Sequence, residues 1–397
     1  MKLAIVTTHP IQYNSPLFKL LSLNNLNCIK VFYTWGEAGY LNKYDPGFVR
    51  YVEWDVPLLD GYDYEFSFNK SKNPGSHHFN GIKCPNLIAS INLWKPDSLL
   101  IYGWNNHAHL SCIRYFKGKI PVFFRGDSTL IDSKPHIKAL LRKIFLKWVY
   151  SHVDFAFYTG VHNRSYFLKY GMKSNQLIFA PHVVDNEIFF DSSNQLTNSA
   201  NEWRSSLGIS NNNLVFLFAG KLENKKNPQL LVKAFRELIK SNNNCILLIV
   251  GDGILKDKLI QLSKIEFNDN FSKRIFFIPF QNQSKMPIVY RMADVFVLPS
   301  QGPGETWGLA VNEAMASGKP VILSEKVGCA PDLVEQGVNG FVFKSGDTND
   351  LISKLKIFGN NAGLIEKMGK ASLDKISSFS LSHLANIIED SVLNKCC

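Results

Sequence analysis

Short apolar runs alternate with longer stretches of 3.6-residue period along the whole chain. The first run, "KLAIVTT", is continuously hydrophobic and ends at His9-Pro10, which predicts a strand buried on both faces. "HPIQYNSPLFKLLS" follows, with Ser15 reading as an N-cap and Pro16 as the first helical residue. "CIKVFYT", "SLLIYGW", "IPVFFRG", "DFAFYTG" and "QLIFAPHVVD" predict further strands. A second series opens at "NLVFLFAG" and continues through "CILLIVGDG", "RIFFIPF", "DVFVLPS", "KPVILS" and "GFVF". Between the two series "DSSNQLTNSAN" has no apolar period and predicts a linker. This βαβ alternation predicts an α/β fold of two doubly wound domains. We place the first at residues 1–190, a linker at 191–205 and the second domain at 206–375. A last helix, within "SLSHLANIIEDSVLNK", is expected at 376–397, packing back towards the first domain.

Composition narrows the class. At 397 residues and 45% hydrophobic content the chain exceeds one ordinary core, in keeping with two domains. No apolar run approaches the roughly 20 residues that span a bilayer, and the first run is too short for a secretory leader. Seven cysteines without C-x-x-C spacing fit a reduced, cytoplasmic setting and no structural zinc. Cys396 and Cys397 read as surface thiols, with lipidation the alternative. The net charge of +11 is uneven: residues 1–190 hold 21 basic and 13 acidic side chains, the rest 23 and 20. A basic first half suits an anionic partner (lipid headgroups, a phosphorylated acceptor or nucleic acid) or simply aids solubility. The aromatics lie mainly within strands and no recognition motif appears, which argues against nucleic acid. No G-x-G-x-x-G follows the first strand, which argues against a Rossmann dehydrogenase.

The chemistry concentrates in "PGETWGLAVNEAMASGKPVI", from Pro303. Leu309 to Ser317 is a helix sequence, closed by Gly318 and Pro320. Its start at Trp307 and Gly308 offers free N–H groups and a positive dipole end to an anion, and Gly308 allows close approach. Glu305 precedes the helix and Glu313 lies more than one turn inside it. A nucleoside diphosphate sugar fits such a frame: pyrophosphate on the helix start, one carboxylate on the ribose diol and the other on sugar hydroxyls. Two solvated glutamates on an ordinary helix is the plainer reading of the same spacing. "FAGKLENKKNPQ" adds Lys221 after the strand-ending Gly220, then Lys225 and Lys226 before Asn227-Pro228, cations for a diphosphate leaving group. "GDG" at Gly251 is a turn that needs backbone freedom.

Together "GK…KKNP", "VGDG", "ADVFVLPS", "ETWGLAVNEAMASGKPVI" and "PDLVEQGVNGFVF" resemble the retaining glycosyltransferases of the GT-B fold, family 4. The resemblance is dense from about Leu214 to Asp347. It implies two Rossmann-like domains facing across a cleft, and a hexosyltransferase acting from a nucleotide-sugar donor. It gives Glu305 the donor-sugar hydroxyls, Glu313 the ribose, and the backbone of Trp307, Gly308 and Leu309 the distal phosphate. Lys221 stands where relatives commonly carry Arg, and Lys226 matches their lysine. Phe280 and Gln281 would meet the base, with Gly220 and Gly251 shaping the donor site.

The same resemblance assigns the first domain to the acceptor. His9 and Gln12 lie in its first loop, which lacks the Gly-Gly pair of many relatives. Arg125 and Asp127 follow "IPVFF", where relatives often have His, and Asp127 is the candidate contact to the acceptor hydroxyl. His107 and His109 follow another strand, where a histidine serves either as an acceptor-side group or as a satisfied structural one. The acceptor expected is a saccharide or lipid-linked saccharide of surface polysaccharide or glycolipid synthesis. No Asp-x-Asp pair occurs, so no metal and no other cofactor is expected. In "KPHIKALLRKIFLKWVYSH", Leu140, Leu141, Ile144, Phe145 and Trp148 share a face, with Lys138, Arg142, Lys143 and Lys147 beside it. That pattern suits either an anionic membrane, at the inner face of the cytoplasmic membrane, or a helix packed on the core with a wet basic side. The rival functions are a nucleotide-sugar epimerase or phosphorylase on the same architecture, and a basic nucleic-acid-binding protein.

Overall fold

Most strands form where Val, Ile, Leu and Phe cluster. β1 (Leu3–Thr7), β2 (Ile29–Tyr33), β3 (Lys43–Asp45), β4 (Arg50–Val52), β5 (Asp63–Phe66), β6 (Ser98–Tyr102), β7 (Val122–Arg125), β8 (Phe155–Tyr158) and β9 (Leu177–Phe179) fill the first half of the computed structural model. Of these, β3, β4 and β5 are short and polar. The structure describes residues 1–24, 28–37, 40, 43–133, 138–268, 271–359 and 361–396. The start of the basic amphipathic stretch, residues 134–137, and Cys397 lie outside them. Seven of these strands make one sheet in the order β5-β2-β1-β6-β7-β8-β9, and β3 with β4 makes a separate two-stranded sheet. Every ladder of the large sheet is parallel. Parallel strands covered by helices on both faces are buried throughout, as β1 is at every position.

The second half holds β10 (Leu214–Ala219), β11 (Cys245–Val250), β12 (Ile275–Ile278), β13 (Val295–Leu298), β14 (Val321–Ser324) and β15 (Gly340–Phe343). They pair in parallel in the order β12-β11-β10-β13-β14-β15. All six coincide with predicted strands.

The helices of the first half are α1 (Ser15–Leu23), α2 (Leu87–Trp94), α3 (His107–Phe116), α4 (Lys138–Ser151) and α5 (Val161–Lys169). Those of the second are α6 (Gln195–Ser206), α7 (Pro228–Ser241), α8 (Lys256–Phe267), α9 (Phe271–Arg274), α10 (Met286–Arg291), α11 (Leu309–Ala316), α12 (Ala330–Leu333), α13 (Thr348–Gly359), α14 (Ala362–Ser377) and α15 (Leu381–Cys396).

The chain divides into two compact units, and neither is continuous in sequence. One comprises Met1–Lys43, Val52–Val183 and Leu381–Cys397; the other comprises Tyr44–Tyr51 and Val184–Ser380. The boundary thus falls at Val184, before the expected linker, and that linker is a helix. α6 has a thin apolar stripe, Leu196, Ala200 and Trp203 at i, i+4 and i+7, most of it beyond the middle of the polar run, and polar contacts hold it as well. The Asp191 carboxylate accepts from the N–H groups of Leu196 (3.2 Å) and Thr197 (2.8 Å), relieving orphan donors at the helix start. Buried Arg204 donates to the carbonyls of Ser210 and Asn213, each at 2.9 Å. The terminal helix starts at Leu381, and 376 falls in the last turn of α14. α15 packs on α1 and buries Leu384, Ala385, Ile388 and Val392, and Asn24 donates to Glu389 at 3.3 Å.

Each sheet grows outward from its first strand in one direction and then reverses. The reversals fall between β1 and β6 and between β10 and β13. Ligands of open α/β sheets bind beyond the carboxyl ends of strands at such points.

Candidate functional site

Four adjacent strands, β12, β11, β10 and β13, deliver the expected donor-side residues from their carboxyl ends. Beyond β13 the chain runs to Gly308 and enters α11 at Leu309. Gly308 has φ +103°, and a Cβ there would stand 3.0 Å from Val327 Cγ1, so the position takes glycine. The loop is pinned from behind. Gly328 N–H donates to the Glu305 carbonyl (3.1 Å) and Cys329 N–H to that of Trp307 (3.0 Å). Trp307 is buried, its indole N–H donating to Asn312 Oδ1 at 2.9 Å. The first amides of α11 have no partner in the helix ladder and form its positive end.

Glu305 is 7% exposed. Its Oε2 lies 2.6 Å from Lys226 Nζ and 3.1 Å from Ser300 Oγ, which donates to it. Lys226 ends the turn after β10, and Asn227, at φ +47°, bends the chain into α7. The two loops are stitched together: Gln301 donates through its backbone N–H to the Lys225 carbonyl and through its side chain to that of Asn224, each at 2.8 Å. The result is a shielded carboxylate–ammonium pair beside a glycine-lined helix end at the β10/β13 reversal. Glu313 is 4% exposed and accepts from Tyr290 Oη at 2.8 Å and Gln283 Nε2 at 3.4 Å. Both expected glutamates are therefore internal, which removes the reading of two solvated side chains on a helix.

Lys221 faces Asp45, its ammonium 2.9 Å from the carboxylate, while Lys225 pairs with Glu223. Phe280 donates its N–H to Asp252 at 2.9 Å, and Asp252 also holds Lys256 at 2.6 Å. Burial alone would raise the Asp45 and Asp252 carboxyls; hydrogen bonds and the charges of Lys221 and Lys256 outweigh it and hold both below the usual range. Gln281 bends back on the Pro279 carbonyl. Gly251 serves packing: a Cβ there would lie 2.0 Å from the Gly220 carbonyl oxygen, so the β10 and β11 loops touch backbone to backbone. Sequence reasoning missed Asp45, Gln283 and Tyr290, which carry no local signature, and passed over Asp252 and Ser300 although they lie within "VGDG" and "ADVFVLPS".

In the other unit the expected acceptor-side residues follow β1, β6 and β7, three adjacent strands. His9 packs edge-on against Trp35 and its Nδ1 lies 2.9 Å from Thr8 Oγ1; Gln12 is half-buried in the same loop. His107 is exposed at the start of α3. Asp127 is exposed beside a cavity of about 290 Å³ that includes Trp104, Arg142 and Tyr166. His109 and Arg125 need correction, because neither reaches solvent. His109 is fully buried, with Nε2 2.8 Å from Thr34 Oγ1 and Nδ1 3.0 and 3.1 Å from the carbonyls of Tyr102 and Gly103. Burial pushes its pKa down to about 4, so the ring stays neutral and those carbonyls assign the proton to Nδ1. Arg125 donates to the Ala180 and Pro181 carbonyls at 2.8 and 2.9 Å, tying the chain beyond β9 to β7.

The apolar stripe of α4 is not core: Leu140, Leu141 and Ile144 are 60–68% exposed and Phe145 and Trp148 about 40%. Leu146, Val149 and Tyr150 form the packed face instead, and Arg142, Lys143 and Lys147 are exposed. No helix among the described residues is long and apolar enough to cross a membrane, and none of their His, Cys, Asp and Glu side chains cluster in threes or more as a metal site would require.

Residues 199–374 match the family described as "Glycosyl transferases group 1". A D-inositol 3-phosphate glycosyltransferase of Nocardia farcinica is 29% identical over 46% of this chain and 41% of its own length. A UDP-Gal:alpha-D-GlcNAc-diphosphoundecaprenol alpha-1,3-galactosyltransferase of Escherichia coli is 33% identical over 38% of this chain and 37% of its own. The chain thus spans about two fifths of these curated relatives. Anabaena Alr3699/HepE, solved in complex with UDP, superposes over 99% of this chain and 100% of that one, with TM-score 0.75 and 17% identity. Similarity at that level shows the fold, which is GT-B: two Rossmann-like domains in series.

Proposed function

We propose, from the premise that residues 199–374 belong to the glycosyl transferases group 1 family, that this protein transfers a sugar from a nucleoside diphosphate donor to a saccharide or lipid-linked saccharide. The observation that carries this reading is the Lys226–Glu305 pair, 2.6 Å apart beside the Gly308 turn into α11. A diphosphate on the helix end meets backbone N–H donors and Lys226, both placed before the reaction begins, so charge growing on the leaving group is stabilised without reorganisation. Glu305 orients Lys226 and accepts from donor-sugar hydroxyls; Glu313, held by Tyr290 and Gln283, serves the ribose. UDP is the first nucleotide to test, because the similar Anabaena structure holds it.

The chemistry proposed is retaining, front-face displacement. The acceptor oxygen bonds the anomeric carbon as the bond from that carbon to the phosphate oxygen breaks, and the acceptor proton passes to the departing phosphate. Exposed Asp127 is the acceptor-side group for that hydroxyl. The ammonium and helix end take the role a divalent cation plays elsewhere, so turnover persists in excess EDTA; collapse restored by Mn²⁺ would reject this. The open apolar stripe of α4, flanked by Arg142, Lys143 and Lys147, supports peripheral attachment to an anionic membrane, where a lipid-linked acceptor resides. Thermal-shift screening against UDP-, GDP- and ADP-sugars, followed by product analysis with and without acceptor, tests the assignment. An epimerised donor formed without acceptor would replace it.

A further inference from the structure

We infer that residues 44–51 form a strap that competes with the donor, with Asp45 holding Lys221 where a phosphate would; this rests on the donor-site reading above. The strap comes from the first half of the sequence, yet it belongs to the unit that carries Lys226 and Glu305. Its turn is self-sufficient. Asp45 Oδ1 accepts from the N–H groups of Gly47 (2.8 Å) and Phe48 (3.1 Å). The same carboxylate lies 2.9 Å from Lys221 Nζ, whose ammonium also sits 5.0 Å from the centre of the Phe48 ring. The turn rests on the lysine stem: a Cβ on Gly47 would stand 2.5 Å from Lys221 Cδ.

Two further strap residues cover the other end of the site. Phe48 meets Phe280 edge-on, with ring centroids 4.7 Å apart. The Arg50 guanidinium carbon lies 4.9 Å from the centre of the same ring, and its Nη1 lies 3.5 Å from Asp252 Oδ2. The strap therefore engages Lys221, the phosphate-side cation after β10, and Phe280, the base-side aromatic after β12. A donor that takes both must displace Asp45, Phe48 and Arg50.

The contacts are suited to release. The Lys221 and Asp45 side chains are 33% and 25% exposed, and Arg50 is 44% exposed. Ion pairs this accessible change an equilibrium by about 1.4- to 5-fold each. A diphosphate carries more charge than one carboxylate and wins the lysine at modest concentration. The strap then sets donor affinity without entering the chemistry.

The test is calorimetric titration of the full chain with UDP, with GDP and ADP in parallel, using wild type, Asp45→Asn, Lys221→Ala and the double variant. Asparagine keeps the oxygen that accepts from Gly47 and Phe48, so the turn survives while the charge is lost. The expected result is about two- to fivefold tighter nucleotide binding by Asp45→Asn. That gain vanishes in the Lys221→Ala background, because the competing pair is already gone. Equal or weaker binding by Asp45→Asn, with wild type binding normally, overturns the strap and leaves the donor site standing. Failure of wild type to bind any of the three overturns the donor site, and the strap with it.

Discussion

Replacing Lys226 by Met removes the cation and keeps much of the side-chain bulk, leaving Glu305 alone in a place that is 7% exposed. Uncompensating a buried pair costs roughly 3–5 kcal/mol. The Ser300 hydrogen bond at 3.1 Å remains, and Lys226 is itself 14% exposed, so the lower end applies, about 3 kcal/mol. For a unit of this size that corresponds to a melting point lower by roughly 6–12 °C. Glu305→Gln differs in kind. It leaves an ammonium on a flexible stem that can turn to water, which costs about 1 kcal/mol. The double variant, with neither charge, should melt closer to wild type than Lys226→Met does. Turnover should fall about 10²–10³-fold in both single variants, because each disturbs the group that stabilises the leaving phosphate. Calorimetric melting and initial-rate assays on the same preparations decide the matter. A Lys226→Met protein that melts within about 2 °C of wild type and keeps more than roughly a tenth of its turnover would refute the reasoning.

Acidification should destabilise the unit that contains His109. Its buried ring has a pKa near 4 against 6.5 when unfolded, so the unfolded chain takes the proton first, and stability present above about pH 6.5 is lost as pH falls towards 4. Between pH 7 and 5 His109 accounts for a loss on the order of 2 kcal/mol, read by urea unfolding; burial pushes His182 of the same unit down to about 4 as well, so His109→Gln should lessen the loss without abolishing it. Gly308→Ala forces a side chain into φ +103° against Val327 and should cost about 1–3 kcal/mol and weaken donor binding, measured by melting and titration. Ile144→Glu, at a site 60% exposed, should shift stability by less than about 0.5 kcal/mol yet reduce flotation with anionic liposomes. Unchanged flotation at low and high salt would remove α4 from any membrane role.

The hydrophobic period located all six strands of the second sheet, because buried parallel strands are apolar throughout and hard to mistake. The glutamate-bearing block was legible for a related reason. Leu309 starts its helix where Gly308, Gly318 and Pro320 punctuate the chain. The misses share a cause: interactions made at a distance. The thin stripe of α6, Leu196, Ala200 and Trp203, runs past the end of the polar stretch at Asn201, and its cap comes from Asp191, four residues before its first residue, so the stretch taken alone shows no period. β3 and β4 are three residues each, and nothing in "KYDPGFVRYV" says that Asp45 meets Lys221 across 176 positions. For α4 the stripe was visible in the sequence, but which side packs was not: Leu146 and Val149 face inward, while Leu140 and Ile144 stay in water. His109 looked like any histidine after a strand, and only burial shows that it is part of the scaffold.

The position of α15 bears on how this molecule can be cut. Its buried Leu384, Ile388 and Val392 complete a core whose remaining residues all precede position 184. A fragment ending at residue 190 would lack that helix and expose the flank of α1, while a fragment starting there would carry a stray apolar tail. Halves meant to fold separately call for a rearranged gene, with 381–396 spliced to the amino-terminal piece and the 44–51 loop supplied to the other.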